Sequence, residues 1–243
     1  MKNEYNNTDN KRKWRNYIMK IQTISQTYTY FGNFSKLNTK EADLRKVFEG
    51  YTAQVGKEKL PNGVEVNIYR FIKDNTAVTI HAYRIDCEYG YNNPECSSEK
   101  FIAYAEEATK KIASVESLKG QRIAYSNVEF VENGDGSILR NSNKAFNIAN
   151  VYGEDAVELN VRVNHIKDIN GEKYNSVVVM QDGKVTNNNT HEETKAVFIN
   201  KDINTLITNR EERFNLNDTV KYLGDMVLEA NSRTKQLLES IGE

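Results

Sequence analysis

Between Asp155 and Val185 the chain alternates in polarity too strictly for a helix. Val157, Leu159, Val161 and Val163 are apolar, with Glu158, Asn160, Arg162 and Asn164 between them. A period of two puts one set on a buried face and the other in water, which is a β-strand. Asn170-Gly171 then supplies two residues that tolerate positive φ, as a tight hairpin turn requires. A second strand follows from Tyr174 to Met180, and Asp182-Gly183 offers another turn. The centre of the chain is therefore expected to be an antiparallel meander, with strands over about 157–168 and 173–181.

Other segments extend this pattern. Ile21 to Phe34 is rich in Thr, Tyr and Ile and reads as a strand. Thr39, followed by Glu41 and Asp43, suits the start of a helix with Leu44, Val47 and Phe48 on one face. Pro61-Asn62-Gly63 and Asp74-Asn75 are turns. Val64, Val66 and Ile68 alternate in a strand that runs to about Ile72, and another strand is expected over 76–86. Ser97 or Ser98 caps a helix to about Ser114, whose apolar face is Phe101, Ala105, Ala108 and Ile112. In the strand Arg122–Val131 the phase changes midway, and a bulge near Asn127 would put Ile123, Tyr125, Val128 and Phe130 on one side. Thr194–Thr205 is a further strand. From Asn217 or Asp218 a last helix carries Val220, Leu223, Val227, Ala230, Thr234 and Leu237 at three-four spacing.

Helices separated from antiparallel strands make an α+β fold, with an antiparallel sheet and helices packed on one face. Residues 1–18 read as a disordered polar tail. A sharper reading is a basic-aromatic arm, with Lys11, Arg12, Lys13 and Arg15 around Trp14. Residues 19–118 form one α+β half, and 119–243 form a second of sheet plus C-terminal helix. The boundary falls near Leu118–Gly120. No Pro/Ser/Gly linker marks it, so two related halves and one continuous domain both fit the pattern.

Charge and composition narrow the function. With 33 basic and 34 acidic residues and a pI near 6.4, a general polyanion binder is excluded, and nucleic acid is a disfavoured partner. No apolar run reaches the roughly 18 residues of a membrane span. No signal core follows the basic start, so the expected location is cytoplasmic. Cys87 and Cys96 bracket a polar loop and read as free thiols of a reducing compartment rather than a loop disulfide.

Nothing marks a catalytic centre. The three histidines, His81, His165 and His191, are dispersed, and no nucleophile motif accompanies them. His191-Glu192-Glu193 lacks the second histidine of a helical zinc motif. Asn133-Gly-Asp-Gly-Ser137 lacks the spacing of a calcium loop. No phosphate-cradling loop exists, and no cofactor or metal is expected. Tyr28, Tyr30, Tyr83, Tyr89 and Tyr91 are candidates for an aromatic surface, against the simpler reading that they fill the core.

Gln121-Arg-Ile-Ala-Tyr-Ser-Asn-Val-Glu-Phe130 resembles the opening strand of the SecB export-chaperone family. Asp155-Ala-Val-Glu-Leu-Asn-Val-Arg-Val163, the Gly171-Glu172 turn and Val177-Val-Val-Met-Gln-Asp-Gly183 resemble that family's central strands, in the same order. The likeness covers about 121–185, with the last helix as a continuation, and leaves 1–118 outside it. The family is strongly acidic, whereas this chain is nearly neutral. The resemblance implies an antiparallel sheet with helices on one side, strand-mediated homo-oligomers, and grooves that hold extended non-native peptide. The expected function is non-enzymatic binding of a polypeptide client or protein partner, with Ile123, Tyr125, Val128 and Phe130 as the peptide-binding residues. The same four residues also fit a plain core role. The alternative is an interaction or inhibitor protein associated with mobile elements or phage defence. A third reading is an enzyme that uses His81 or His165.

Overall fold

The computed structural model describes residues 21–90, 97–132, 138, 141, 158, 160–187 and 190–242. Strand β1 (Ile21–Phe31) is followed by a 3-10 turn (Ser35–Thr39) and a short helix α1 (Glu41–Val47). Then come β2 (Thr52–Lys59), β3 (Glu65–Lys73), β4 (Thr76–Ile80), β5 (Arg84–Tyr89) and helix α2 (Ser98–Val115). The two-residue strand β6 (Lys119–Gly120) precedes β7 (Arg122–Glu132). The later strands are β8 (Asn160–Ile169), β9 (Glu172–Thr186) and β10 (Glu193–Thr205). The two-residue strand β11 (Phe214–Asn215) pairs with β6, and a 3-10 turn leads into helix α3 (Thr219–Gly242).

Nine strands form one antiparallel sheet in the order β2-β3-β4-β5-β1-β7-β10-β9-β8. The fold is α+β. Each half of the chain begins with a strand at the centre of the sheet, moves to a rim, and meanders back. β5 returns to β1, and β10 returns to β7. The two opening strands pair antiparallel with each other, so the sheet runs unbroken across the Leu118–Gly120 junction.

The helices cover one face. Phe101, Ala105, Ala108 and Ile112 of α2 and Leu223, Met226, Val227 and Ala230 of α3 are buried against Tyr28, Tyr30, Phe71, Val78, Ile85, Ile123, Tyr125 and Ile203 of the sheet. Residues from both halves thus share one core. Their junction is also hydrogen-bonded. Thr219 at the start of α3 meets the Tyr30 hydroxyl at 2.8 Å and the Thr109 hydroxyl of α2 at 2.7 Å. A second apolar cluster of Val131, Ile138, Met180, Val197 and Ile199 lies further along, with Val161, Val178, Leu237 and Leu238 against it.

Local signals account for several elements. Ser97 caps α2, its hydroxyl accepting from the Lys100 N–H at 3.2 Å. Asn170 and Gly171 hold φ of 54° and 83°, and Ile169 pairs with Glu172 across a two-residue turn. The strands on either side begin or end a few residues from the expected limits. Val157 and Leu159 lie outside the described residues, as do Asn133–Ser137.

Four expectations are corrected. The stretch 76–86 is two strands, folded back at His81–Tyr83, rather than one. No Gly, Pro, Asn or Asp announces that turn; it is held by the Phe34 N–H donating to the Ala82 carbonyl at 2.7 Å and the Gly32 N–H to that of Tyr83 at 3.1 Å. Thr39 does not cap α1: its hydroxyl donates to the Lys36 carbonyl inside the 3-10 turn, and Lys40 flanks the helix without a side-chain cap. In β3 the core residues are Tyr69 and Phe71, while Val64 is exposed ahead of the strand. The bulge expected near Asn127 is absent from β7. The register shift lies across from it in β1, between Thr23 and Ser25. β7 keeps its side-to-side alternation, with Ile123, Tyr125, Asn127, Glu129 and Val131 buried on the helix side and Phe130 buried on the other. Its apparent change of phase comes from two polar residues on the buried face.

Candidate functional site

Without the bulge, the four residues expected to bind peptide do not line one surface. Ile123 and Tyr125 point under the helices and have no exposure. Tyr125 also donates to Gln26 Oε1 at 2.8 Å. Val128 and Phe130 lie on the opposite face, where Phe130 sits 6.2 Å from Phe198, ring to ring. Tyr28 and Tyr30 are core residues, Tyr83 is exposed and Tyr89 is half-buried. Tyr91 lies outside the described residues.

The open site is on the helix side, further along β7. A cleft of about 440 Å³ separates Ile21, at the start of β1, from the last turns of α3. Ile21 and Leu238 form its apolar walls, and Asn231, Lys235 and Glu239 edge it. Glu129 and Thr234 also line it. Leu238 belongs equally to the rim of the second apolar cluster, so the cleft is an outward continuation of that core.

Beneath Thr234 lies a buried ion pair. Lys201 Nζ is 2.7 Å from Glu129 Oε2, and the lysine side chain has no exposure. The ammonium also donates to Thr234 Oγ1 at 2.7 Å, and that hydroxyl donates to Glu129 Oε2 at 3.1 Å. Asn127 Nδ2 donates to Glu129 Oε1 at 3.0 Å. Both carboxylate oxygens are therefore satisfied, as a buried charge requires. Burial pushes the Lys201 pKa below its usual value, and the Glu129 carboxylate offsets only part of this. The sequence does carry a signal for this pair. Glu129 and Lys201 are opposite charges, each placed by period two among apolar residues of its own strand.

A smaller cleft of about 290 Å³ lies at the far end of the sheet, lined by Glu58, Lys59, Leu60, Pro61, His81, Tyr83 and Arg84. His81 Nδ1 is 3.0 Å from Glu58 Oε2, and Arg84 is 3.3 Å from Nε2. Glu58 Oε1 accepts from the Ala82 N–H at 2.9 Å. Desolvation works against the Glu58 carboxylate, but the Ala82 N–H and His81 hold its pKa below the usual value. Burial raises that of neighbouring Asp86, against bonds from Thr29 and Arg84. The cluster ties the tip of β2 to the β4–β5 turn, and both imidazole nitrogens are engaged. His165 and His191 are exposed and far from it in the chain. Among the described residues no group of His, Cys, Asp and Glu could hold a metal ion. Cys87 is a free, buried thiol whose pKa is pushed up by burial, which disfavours the reactive thiolate. Cys96 lies outside the described residues. No helix among them is long and apolar enough to cross a membrane.

No protein-family model and no curated protein matches the chain. Among solved structures, it is similar to the di-domain ARO/CYC StfQ from the steffimycin biosynthetic pathway, at 11% identity over 90% of this chain and 97% of that one. The TM-score is 0.20, and this likeness carries no argument about fold or function.

Proposed function

We propose that the chain is a non-enzymatic, SecB-like binding protein that holds extended polypeptide, with the cleft between Ile21 and Leu238 receiving apolar side chains of the client. The observation that supports this is the cleft itself: an opening of about 440 Å³ whose apolar walls continue a core cluster to the surface. A pocket of that size takes one or two side chains rather than a whole fold. Binding would be driven by removal of apolar surface from water, and so would carry a negative heat-capacity change. It would depend only mildly on salt, unlike binding to a phosphate backbone. In this reading the chain works in the cytoplasm.

The test is light scattering of a denatured client as it aggregates. Several-fold excess of the protein should suppress scattering without nucleotide. Leu238→Asp should abolish the effect, and Leu228→Asp, on the exposed side of α3, should not. Loss of suppression in both variants or neither, or no suppression by the wild type, overturns the proposal. A second reading, proton transfer at His81, draws on the Glu58–His81 contact in the smaller cleft. Arg84 occupying Nε2 opposes it. On the binding reading, His81→Gln leaves suppression unchanged.

A further inference from the structure

Among the described residues the sheet ends in two rims, β2 and β8, and they differ in what they offer another strand. An unpaired strand edge is a template for pairing, and native sheets protect it with charge, proline or bulges. β8 has ten residues, no proline, and an unshifted register with β9 from Asn160 to Ile169. Val163 and Ile166 are exposed along it.

The two-residue turn makes Ile169 and Glu172 the hydrogen-bonded closing pair of the hairpin. Odd-numbered residues of β8 therefore bond inward to β9, and even-numbered residues turn their N–H and C=O groups out. Odd-numbered side chains also lie on the helix side, since Val161 packs on the second cluster and Ile169 on the main core. A second β8 that keeps both copies' helices on one side must pair odd with odd and even with even. Among such antiparallel registers, the one centred on His165 sets Arg162 opposite Asp168 twice and Val161 opposite Ile169 twice. Moving the centre to Asn164 or to Ile166 loses both matches. β2 offers no such match: it carries Lys57 and Lys59, and its one acid, Glu58, is held by His81 and Ala82.

We infer that β8 is a dimerisation edge whose partner is β8 of a second copy, antiparallel and centred on His165, so that one sheet runs through both molecules. Arg162 and Asp168 of the two copies form the ion pairs that fix the register. Asp168 keeps its role in the turn through Oδ1, which accepts from the Gly171 N–H at 2.9 Å. This interface does not rest on the polypeptide-binding reading, and the cleft at Leu238 is not part of it.

Sedimentation velocity of the full chain across a dilution series tests this. The wild type should dimerise. Arg162→Asp places like charges at both pairs and should raise the dissociation constant about tenfold or more. Asp168→Arg should do the same. An equimolar mixture of the two variants should recover the wild-type value, because each charge again meets its opposite. Asn164→Pro removes only an outward N–H, which an edge strand tolerates, and should give a folded monomer. A monomeric wild type, a dimer that survives Asn164→Pro, or a mixture no tighter than its components overturns the proposal.

Discussion

Lys201 and Glu129 are charges enclosed by a fold that gains little stability from them. Taking two ions out of water costs several kcal/mol each, and their attraction returns this only when every donor and acceptor is used. Here Thr234 and Asn127 complete the bonds to the Glu129 carboxylate, but Asn127 Oδ1 is buried with no hydrogen-bond partner among the described residues, so the return is incomplete. Lys201→Met should therefore cost about 3–5 kcal/mol, because it leaves the Glu129 carboxylate buried without its counter-charge. Adding Glu129→Gln should recover most of that loss. Urea unfolding at neutral pH measures both. The pH dependence has a definite sign. The folded-state pKa of Lys201 lies below its ordinary 10.5. Between those two values the unfolded chain binds more protons, so this group's contribution to stability rises with pH there and is least below the folded value. Lys201→Met should flatten that alkaline rise.

Among the elements, the β8–β9 hairpin makes the most direct test of local geometry. Gly171 holds φ of 83° with open space where a Cβ would stand, so strain from a substitution there comes from the backbone alone. Gly171→Val should lose about 1 kcal/mol or more, measured by thermal or urea melts. This turn was legible in the sequence because its cause is local, and the same holds for α2 with its Ser97 cap and four-residue apolar face. The β4–β5 turn was not legible, because its backbone is pinned by Gly32 and Phe34 from a distant segment. The facing of β7 was obscured by Asn127 and Glu129, which look like solvent-side residues and instead meet Lys201 and Thr234. The candidate cleft was also out of reach. Its walls, Ile21 and Leu238, stand at opposite ends of the chain, and choosing strand residues by apolarity selects the core, as Ile123 and Tyr125 show. In α3 the periodic stripe did locate Leu223, Val227 and Ala230 in the core, although Val220 at its start is exposed and Met226 joins instead.

At the scale of the whole molecule, both halves contribute to the main core, and only the smaller second cluster belongs to one of them. Tyr30 and Thr109 from the first half meet Thr219 from the second, and Tyr28 is paired with Tyr125 across the β1–β7 seam. Unfolding should therefore be one transition. Calorimetry of the Asn164→Pro variant, which keeps dimer dissociation out of the measurement, should give one endotherm with equal calorimetric and van't Hoff enthalpies. Two endotherms would show halves that melt separately. The central seam has a further consequence, in concentration. β1 and β7 are tethered through the intervening meander and α2, so they meet at an effective concentration fixed by the chain, however dilute the solution. A rim joined to a second copy has no such tether and obeys mass action. Dilution therefore acts on the rim alone: the nine-stranded sheet is the same object at any concentration, and what changes is how many of them stand edge to edge.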